Sequence, residues 1–176
     1  MVETSKKTGL KKKFRSVWLI PLSGICVVVL VRFLLLDWTW VKGESMTPTL
    51  MENELILVEK VSKISENIQR GEIWIITYPS GEQCVKRIIG LGNDSIAILN
   101  NQVVVNGMVL NEDYLKNQIL EDMNEYIVPE NHVFFLGDNR GDSLDSRNLG
   151  IRSVTISQLV GRVVCVLYPF DRVKWI

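Results

Sequence analysis

The sequence predicts a mainly β protein, in which an antiparallel, barrel-like domain follows one N-terminal transmembrane helix. Seven short segments rich in β-branched and aromatic residues lie between residues 54 and 168, and turn residues bound most of them. An apolar stretch of membrane-spanning length precedes them. The chain has 176 residues, of which 47% are hydrophobic and 23% are charged. This composition excludes a disordered or collagen-like chain and leaves one domain with an appendage.

Residues 16–36 are predicted to form the membrane anchor, and residues 1–15 a basic cytoplasmic tail. Arg32 is the only charge between Val17 and Leu36, a stretch of 20 residues. As a helix this stretch would span roughly 30 Å, the thickness of the hydrocarbon core of a bilayer. Trp38 and Trp40 follow it, as in the aromatic belts of membrane proteins. A cleavable signal peptide is the alternative, but no small-x-small site follows the apolar run.

The charge is divided unevenly along a chain whose formal net charge is zero. Residues 1–36 contain seven Lys and Arg against one Glu, whereas residues 37–176 contain 13 basic and 19 acidic residues. The positive-inside rule therefore places the N-terminus in the cytoplasm and residues 37–176 on the extracytoplasmic side of the cell membrane. An acidic domain has no general attraction for nucleic acid, so we expect no nucleic-acid partner.

The β elements are predicted from alternation, β-branched residues and turn signals. Asn106-Gly107 indicates a two-residue hairpin, and residues 90–94 indicate a second turn. Residues 112–124 are polar and are predicted to form a short helix or an irregular excursion. Without repeats or a low-complexity linker, residues 37–176 are expected to form one antiparallel unit. The predicted strands lie at 54–60, 72–78, 83–89, 95–99, 102–105, 132–136 and 161–168.

Two positions in the domain could supply nucleophilic chemistry. Ser45 lies in VKGESMTPTL (41–50), where Gly43 frees the backbone and Pro48 stiffens it. A serine in such a turn becomes a nucleophile only beside a base. Lys86 lies in an apolar strand, where desolvation lowers a lysine pKa and leaves an amine that can accept a serine proton. An ordinary turn serine and a snorkelling lysine remain the alternatives.

The segment 136–150 concentrates charge in a loop that cannot form a core. It contains Asp138, Asp142 and Asp145 together with Arg140 and Arg147. The arginines would compete with a cation, and no Glu closes a calcium loop of the twelve-residue pattern. An Asp–Arg network that shapes the loop fits the sequence better, and a solvated turn remains open.

Three segments in this order resemble the type I signal peptidases, in particular the short forms of Gram-positive bacteria. These segments are GESMTPTL (43–50), KRIIGLGND (86–94) and GDNRGDSLDSRNLG (137–150). With the N-terminal anchor, the resemblance covers nearly the whole chain. It implies a membrane-bound serine endopeptidase that removes signal peptides from secreted preproteins after a small-x-small site such as Ala-x-Ala. It also implies that Ser45 is the nucleophile and Lys86 the general base, with no metal and no cofactor.

The resemblance also assigns supporting roles and partners. Gly43 stands where some members have a serine whose hydroxyl stabilises the oxyanion, which leaves the backbone N–H of Ser45 for that purpose. Gly92-Asn93 replaces the Pro-Gly that often precedes the aspartate of the lysine motif. The expected partners are preproteins, membrane lipid and the secretion translocon. The supporting residues are Met46 in the substrate pocket, Ser143 hydrogen-bonded to the lysine amine, and Asp145 and Arg147 as an ion pair.

Several other interpretations stay open at this point. A mitochondrial inner-membrane peptidase would use the same dyad, and an inactive membrane-tethered binder of signal peptides or pilus subunits would need no dyad. A self-cleaving Ser-Lys repressor would carry a DNA-binding domain where this chain has its apolar stretch. His132 is expected to be a bystander, because Lys86 occupies the position at which endoplasmic-reticulum relatives have histidine. A disulfide between Cys84 and Cys165 is neither required nor excluded by the sequence.

Overall fold

Antiparallel strands account for most of the regular structure in the computed structural model. It describes residues 35–115 and 120–176, with positions 24 and 28 in isolation. The predicted tail (1–15) and nearly all of the predicted anchor (16–36) lie outside these residues. No helix within the described ranges has the length and apolar character that a membrane span requires.

Twelve strands and three short helices follow one another in the described part of the chain. All seven predicted strand segments contain strands, and the prediction of a mainly β, antiparallel fold is confirmed. The helices are α1 (Val61–Ile64), η1 (Ile156–Gln158) and η2 (Phe170–Arg172). The strands are β1 (Leu36–Trp40), β2 (Leu55–Glu59), β3 (Ile73–Thr77), β4 (Gln83–Leu91), β5 (Ser95–Leu99), β6 (Gln102–Val105), β7 (Met108–Val109), β8 (Met123–Ile127), β9 (His132–Leu136), β10 (Val154–Thr155), β11 (Leu159–Tyr168) and β12 (Lys174–Trp175).

Strands β1 and β8 lie where the sequence predicted no strand. Leu36–Trp40, at the end of the predicted anchor and its aromatic belt, forms the edge strand β1. In the segment 112–124, predicted as a short helix or an irregular excursion, the described residues before Met123 form no helix and agree with the irregular excursion, and β8 begins at Met123. Both strands have mostly exposed side chains, so neither shows the apolar alternation from which strands are predicted.

The strands of the described part of the chain form two antiparallel sheets. The larger sheet has the order β1-β2-β11-β3-β4-β9-β10, with β12 also paired to β11. The smaller sheet has the order β7-β6-β5-β8. The predicted turn at residues 90–94 separates them: Asn93 has a φ of 72°, and the Asp94 carboxylate accepts the Leu91 N–H at 2.6 Å. The predicted hairpin at Asn106-Gly107 connects β6 to β7.

The larger sheet positions the three motif segments. Lys86 and Arg87 lie in β4, between β3 and β9, where Lys86 pairs with Trp74. The Ser45 segment follows the edge strand β1, and the Asp–Arg segment follows β9. Antiparallel pairing thus joins parts of the chain that are about 40 to 100 residues apart in sequence. Cys84 and Cys165 are both free thiols, so the disulfide that the sequence left open is not formed.

Candidate active site

Ser45 and Lys86 are in direct contact although 41 residues separate them in the chain. The Lys86 Nζ lies 2.5 Å from the Ser45 Oγ. The Lys86 side chain extends from the middle of β4, and the residue is only 3% exposed. Both atoms that a serine–lysine dyad requires are therefore within hydrogen-bond distance.

The pKa of Lys86 is lowered by burial, because a buried amine loses the water that stabilises its charged form. The Cys84 thiol and the carboxylates of Asp145 and Asp138 oppose this effect, and the Arg147 guanidinium reinforces it. The net shift is downward. A larger fraction of Lys86 is therefore neutral near pH 7 than of an exposed lysine, and only the neutral amine can accept a proton.

Backbone hydrogen bonds and packing in the core hold the Ser45 turn in place. Gly43 has a φ of 77°, which explains the glycine at this position. The Thr47 N–H donates to the Glu44 carbonyl, and the Leu50 N–H donates to the Met46 carbonyl. Met46 is 1% exposed and belongs to a hydrophobic cluster with Leu50. The structure places the Met46 side chain in the core, and its expected role beside the substrate stays a prediction.

The segment after β9 holds the backbone of Ser45. The Asn139 N–H donates to the Ser45 carbonyl at 3.0 Å, and the Asn139 Nδ2 donates to the Glu44 carbonyl at 3.2 Å. Within the described part of the chain, the Ser45 N–H itself donates no hydrogen bond. These contacts fix the peptide that carries the serine and leave its N–H available to another acceptor.

Gly137 allows this close approach. A Cβ at this position would collide with the Ser143 Oγ and would lie 2.5 Å from the Ser45 carbonyl oxygen. The second of these atoms belongs to the backbone and cannot rotate away. A glycine is therefore needed where the loop crosses the Ser45 peptide.

Asp145 and Arg147 form the ion pair that the resemblance implied. The Arg147 Nε and Nη2 donate to the two oxygens of the Asp145 carboxylate at 2.8 and 2.9 Å. The same carboxylate accepts the Gly137 N–H at 3.1 Å. This bidentate pair closes the loop on itself and places Asp145 among the charges that act on Lys86.

The structure does not show the hydrogen bond expected between Ser143 and the lysine amine. The Ser143 Oγ is buried and has no hydrogen-bond partner among the described residues. A Cβ added at Gly137 would collide with this oxygen. Among the described residues, the hydrogen bond of the Lys86 amine is to Ser45.

Sequence reasoning missed two residues that shape the site. Arg87 binds Asp138 in a bidentate pair, with Nε at 2.9 Å and Nη2 at 2.6 Å from the carboxylate oxygens. Strand alternation places Arg87 on the face of β4 opposite to Lys86, and this placement could have identified Arg87 from the sequence. The Tyr78 hydroxyl donates to the Leu144 carbonyl, for which the sequence offered no signal. Burial also raises the pKa of the Cys84 thiol beside Lys86.

His132 does not belong to this cluster. It lies at the start of β9, where it pairs with Thr155, and its Nδ1 is 2.9 Å from the Glu130 carbonyl oxygen. Its partner is therefore local backbone, in agreement with a bystander role.

Comparisons with known proteins agree with the motif segments. The family model described as "Signal peptidase, peptidase S26" matches residues 15–168. Signal peptidase I P of Bacillus subtilis subsp. natto is 36% identical over 167 residues, which cover 87% of this chain and 88% of the relative. Signal peptidase I U of Bacillus subtilis strain 168 is also 36% identical and covers 97% of both chains. A crystal structure of a signal peptidase I from Enterococcus faecalis V583 matches with a TM-score of 0.49 and 32% identity, covering 54% of this chain and 95% of that one.

Replacing Gly137 by alanine should destabilise the protein by about 1–3 kcal/mol, because the new methyl group overpacks the loop against the Ser45 peptide. The measurement is the free energy of unfolding from denaturant titration of the purified protein. Gly141→Ala is the matched control, since a Cβ at position 141 meets no atom within 4 Å. Equal stability of the two variants would contradict the proposed close approach.

Proposed function

The chain belongs to the peptidase S26 family and is a serine-type peptidase that removes signal peptides, and on this premise we propose that Ser45 is its nucleophile and Lys86 its general base. The 2.5 Å separation of the Ser45 Oγ and the Lys86 Nζ carries this proposal. The substrates are secreted preproteins, cleaved after a small-x-small site. In the described part of the chain, this amine makes no side-chain hydrogen bond other than that to Ser45.

The reaction proceeds in two stages. Neutral Lys86 accepts the Ser45 proton as the Oγ attacks the scissile carbonyl, and the protonated amine then donates that proton to the leaving amine. This stage forms an ester between the Ser45 Oγ and the signal peptide and releases the mature protein. In the second stage Lys86 accepts a proton from water, the hydroxide attacks the ester, and the proton returns to the Ser45 Oγ.

The oxyanion of each tetrahedral intermediate needs a donor that is already in place. The Ser45 N–H is the candidate, since it has no partner among the described residues while Asn139 holds the adjoining carbonyl. Gly43 has no side chain to contribute a hydroxyl. In other proteases, loss of one such donor raises the activation free energy by about 3 kcal/mol. Because the Ser45 N–H is the donor available here, its peptide has to be held rigidly.

Ser45→Ala and Lys86→Ala should each lower kcat by about 10⁴-fold or more, because either change removes one half of the dyad. The double variant should be no slower than the single variants, since two groups that act as a unit do not contribute additively. The measurement is cleavage of a preprotein with an Ala-x-Ala site by the full-length protein in detergent or lipid.

The control for this experiment is His132→Ala, which should retain nearly the full rate. Full activity of Ser45→Ala would contradict the dyad. A wild-type protein that binds preproteins and cleaves none would instead support the inactive binder.

The pH dependence should report the protonation of Lys86. The base must be neutral, so kcat/KM should fall by about tenfold per pH unit once the pH drops below the pKa of this amine. Burial lowers that pKa, so the fall should begin at lower pH than for an exposed lysine. Initial rates across the pH range test this, and a rate that stays constant down to about pH 5 would contradict the assignment.

We further propose that residues 16–36 cross the cell membrane with the N-terminus in the cytoplasm, so that the domain acts at the outer surface. An exposed aromatic cluster supports contact with lipid. The rings of Trp40 and Tyr168 lie 6.0 Å apart, and those of Tyr168 and Phe170 lie 5.5 Å apart. Trp38 and Trp175, on β1 and β12, are likewise exposed. Tryptophan and tyrosine favour the membrane interface, and β1 begins where the predicted span ends.

Lipid contact should make Trp175 accessible to quenching by brominated lipids in reconstituted vesicles. Trp175→Phe should therefore lower the quenched fraction of tryptophan fluorescence. The matched control is Trp74→Phe, which removes a fully buried ring and should not lower the quenched fraction. An unchanged quenched fraction in Trp175→Phe would exclude Trp175 from the lipid contact.

A further inference from the structure

Two buried arginines lie in the same segments as the groups that form the site. Arg87 follows Lys86 in β4, and Arg140 lies in the segment after β9. Their side chains are 9% and 0% exposed. A guanidinium that is removed from water requires well-placed acceptors, since its desolvation is costly. The groups that satisfy these two cations therefore control how firmly the site is held.

Residues 112 and 114, in the segment that follows β7, contact both arginines. The Glu112 carboxylate accepts Arg140 Nη1 at 3.1 Å and Arg140 Nη2 at 2.5 Å. The Tyr114 ring lies 3.8 Å from the Arg87 Cζ, within the range of a cation–π contact. The Tyr114 hydroxyl donates to the Glu112 Oε1 at 2.6 Å, so the two side chains are linked to each other.

Each arginine also binds the segment that lies against the Ser45 peptide. Arg140 Nε donates to the Gly137 carbonyl at 3.0 Å, in the stretch whose Asn139 holds the Ser45 carbonyl. Arg87 binds Asp138, which lies between Gly137 and Asn139. The contacts of Glu112 and Tyr114 thus converge on three consecutive residues, 137–139, that lie against the Ser45 peptide.

We propose that Glu112 and Tyr114 are positioning residues that hold residues 137–139 against the Ser45–Lys86 pair. This inference rests on the proposed function, because it concerns the same dyad. Neither residue touches the reacting atoms, and both act through the arginines. Residues 112 and 114, which follow β7 of the smaller sheet, would then help to position groups that lie on the larger sheet and in the segment after β9.

Looser packing of residues 137–139 changes the surroundings of Lys86. The ionisable groups that act on this amine are Cys84 on its own strand, and Asp138, Asp145 and Arg147 in the segment after β9. Burial is the largest influence on this pKa, and the proposal requires that residues 137–139 supply part of that burial. When water enters, the charged amine is better solvated and its pKa rises.

Glu112→Gln tests this, with the full-length protein in detergent micelles as the sample. The titration of Lys86 is followed by the ¹³C shift of its Cε, assigned with Lys86→Arg. The midpoint should rise by about half a unit or more. At pH 7, kcat/KM should fall by about tenfold, mainly through kcat, while the acidic limb of the pH profile moves to higher pH.

The matched control is Glu59→Gln. The Glu59 side chain is 8% exposed and the Glu112 side chain 10% exposed, and Glu59 also binds an arginine, Arg162, at 2.9 Å. Glu59 lies at the end of β2, and its other side-chain hydrogen bonds are to the N–H groups of Val61 and Ser62. Glu59→Gln should lower thermal stability to a similar extent and leave the Lys86 titration and kcat/KM unchanged. If both variants shift the Lys86 midpoint equally, the effect is general destabilisation and the proposal is overturned.

Tyr114→Phe keeps the test decisive if Glu112→Gln does not fold. This change removes one hydroxyl and retains the ring over Arg87. We therefore expect the midpoint of the Lys86 titration to rise by less than in Glu112→Gln. An unchanged Lys86 titration in Tyr114→Phe and Tyr114→Leu would overturn the role of Tyr114. The Lys86 titration requires no turnover. A wild type that fails to cleave preproteins would therefore refute the proposed function, whereas the titration would still test whether Glu112 and Tyr114 position residues 137–139.

Discussion

The exclusion of water from Lys86 is the physical constraint on which the site depends. An exposed lysine is almost fully charged at neutral pH and cannot accept a proton from serine. Lys86 lies in β4, between β3 and β9, and burial there lowers the pKa of its amine. Packing of the sheet offsets the free energy that desolvation of this amine costs. The amine can accept a proton from Ser45 only because the Ser45 Oγ is held 2.5 Å away.

Charge pairs around the lysine stabilise the loop without neutralising the site. Asp145 and Asp138 would by themselves raise the pKa of Lys86, since carboxylates favour the ammonium form. Each carboxylate is paired with an arginine, Asp145 with Arg147 and Asp138 with Arg87. This pairing fixes the backbone that holds Ser45 and limits the negative charge that reaches the amine. Structure and proton transfer therefore depend on the same network.

Much of the fold was predictable, because the strands carry local signals. β-branched runs and turn residues located all seven predicted segments, and Asn106-Gly107 located the hairpin. Strands β1 and β8 were missed because exposed edge positions lack apolar alternation, and β10 and β12 were missed because each has only two residues. The division into two sheets depends on which strands pair, and pairing is decided by packing that no single segment encodes. Residues 1–34 lie almost wholly outside the described part of the chain, so the anchor stays a prediction.

Sequence supplied the candidates for the reacting residues, through three motif segments that resemble one family in their order and residues. The same resemblance implied the Asp145–Arg147 ion pair, which the structure contains. Tertiary structure alone decided the burial of Lys86, the core position of Met46 and the contacts of Arg87 and Arg140. It also left the Ser143 hydroxyl without a hydrogen-bond partner among the described residues. Burial and long-range partners are properties of the whole packed chain. A local pattern specifies which groups are available, and only the fold specifies the distance and the solvent between them.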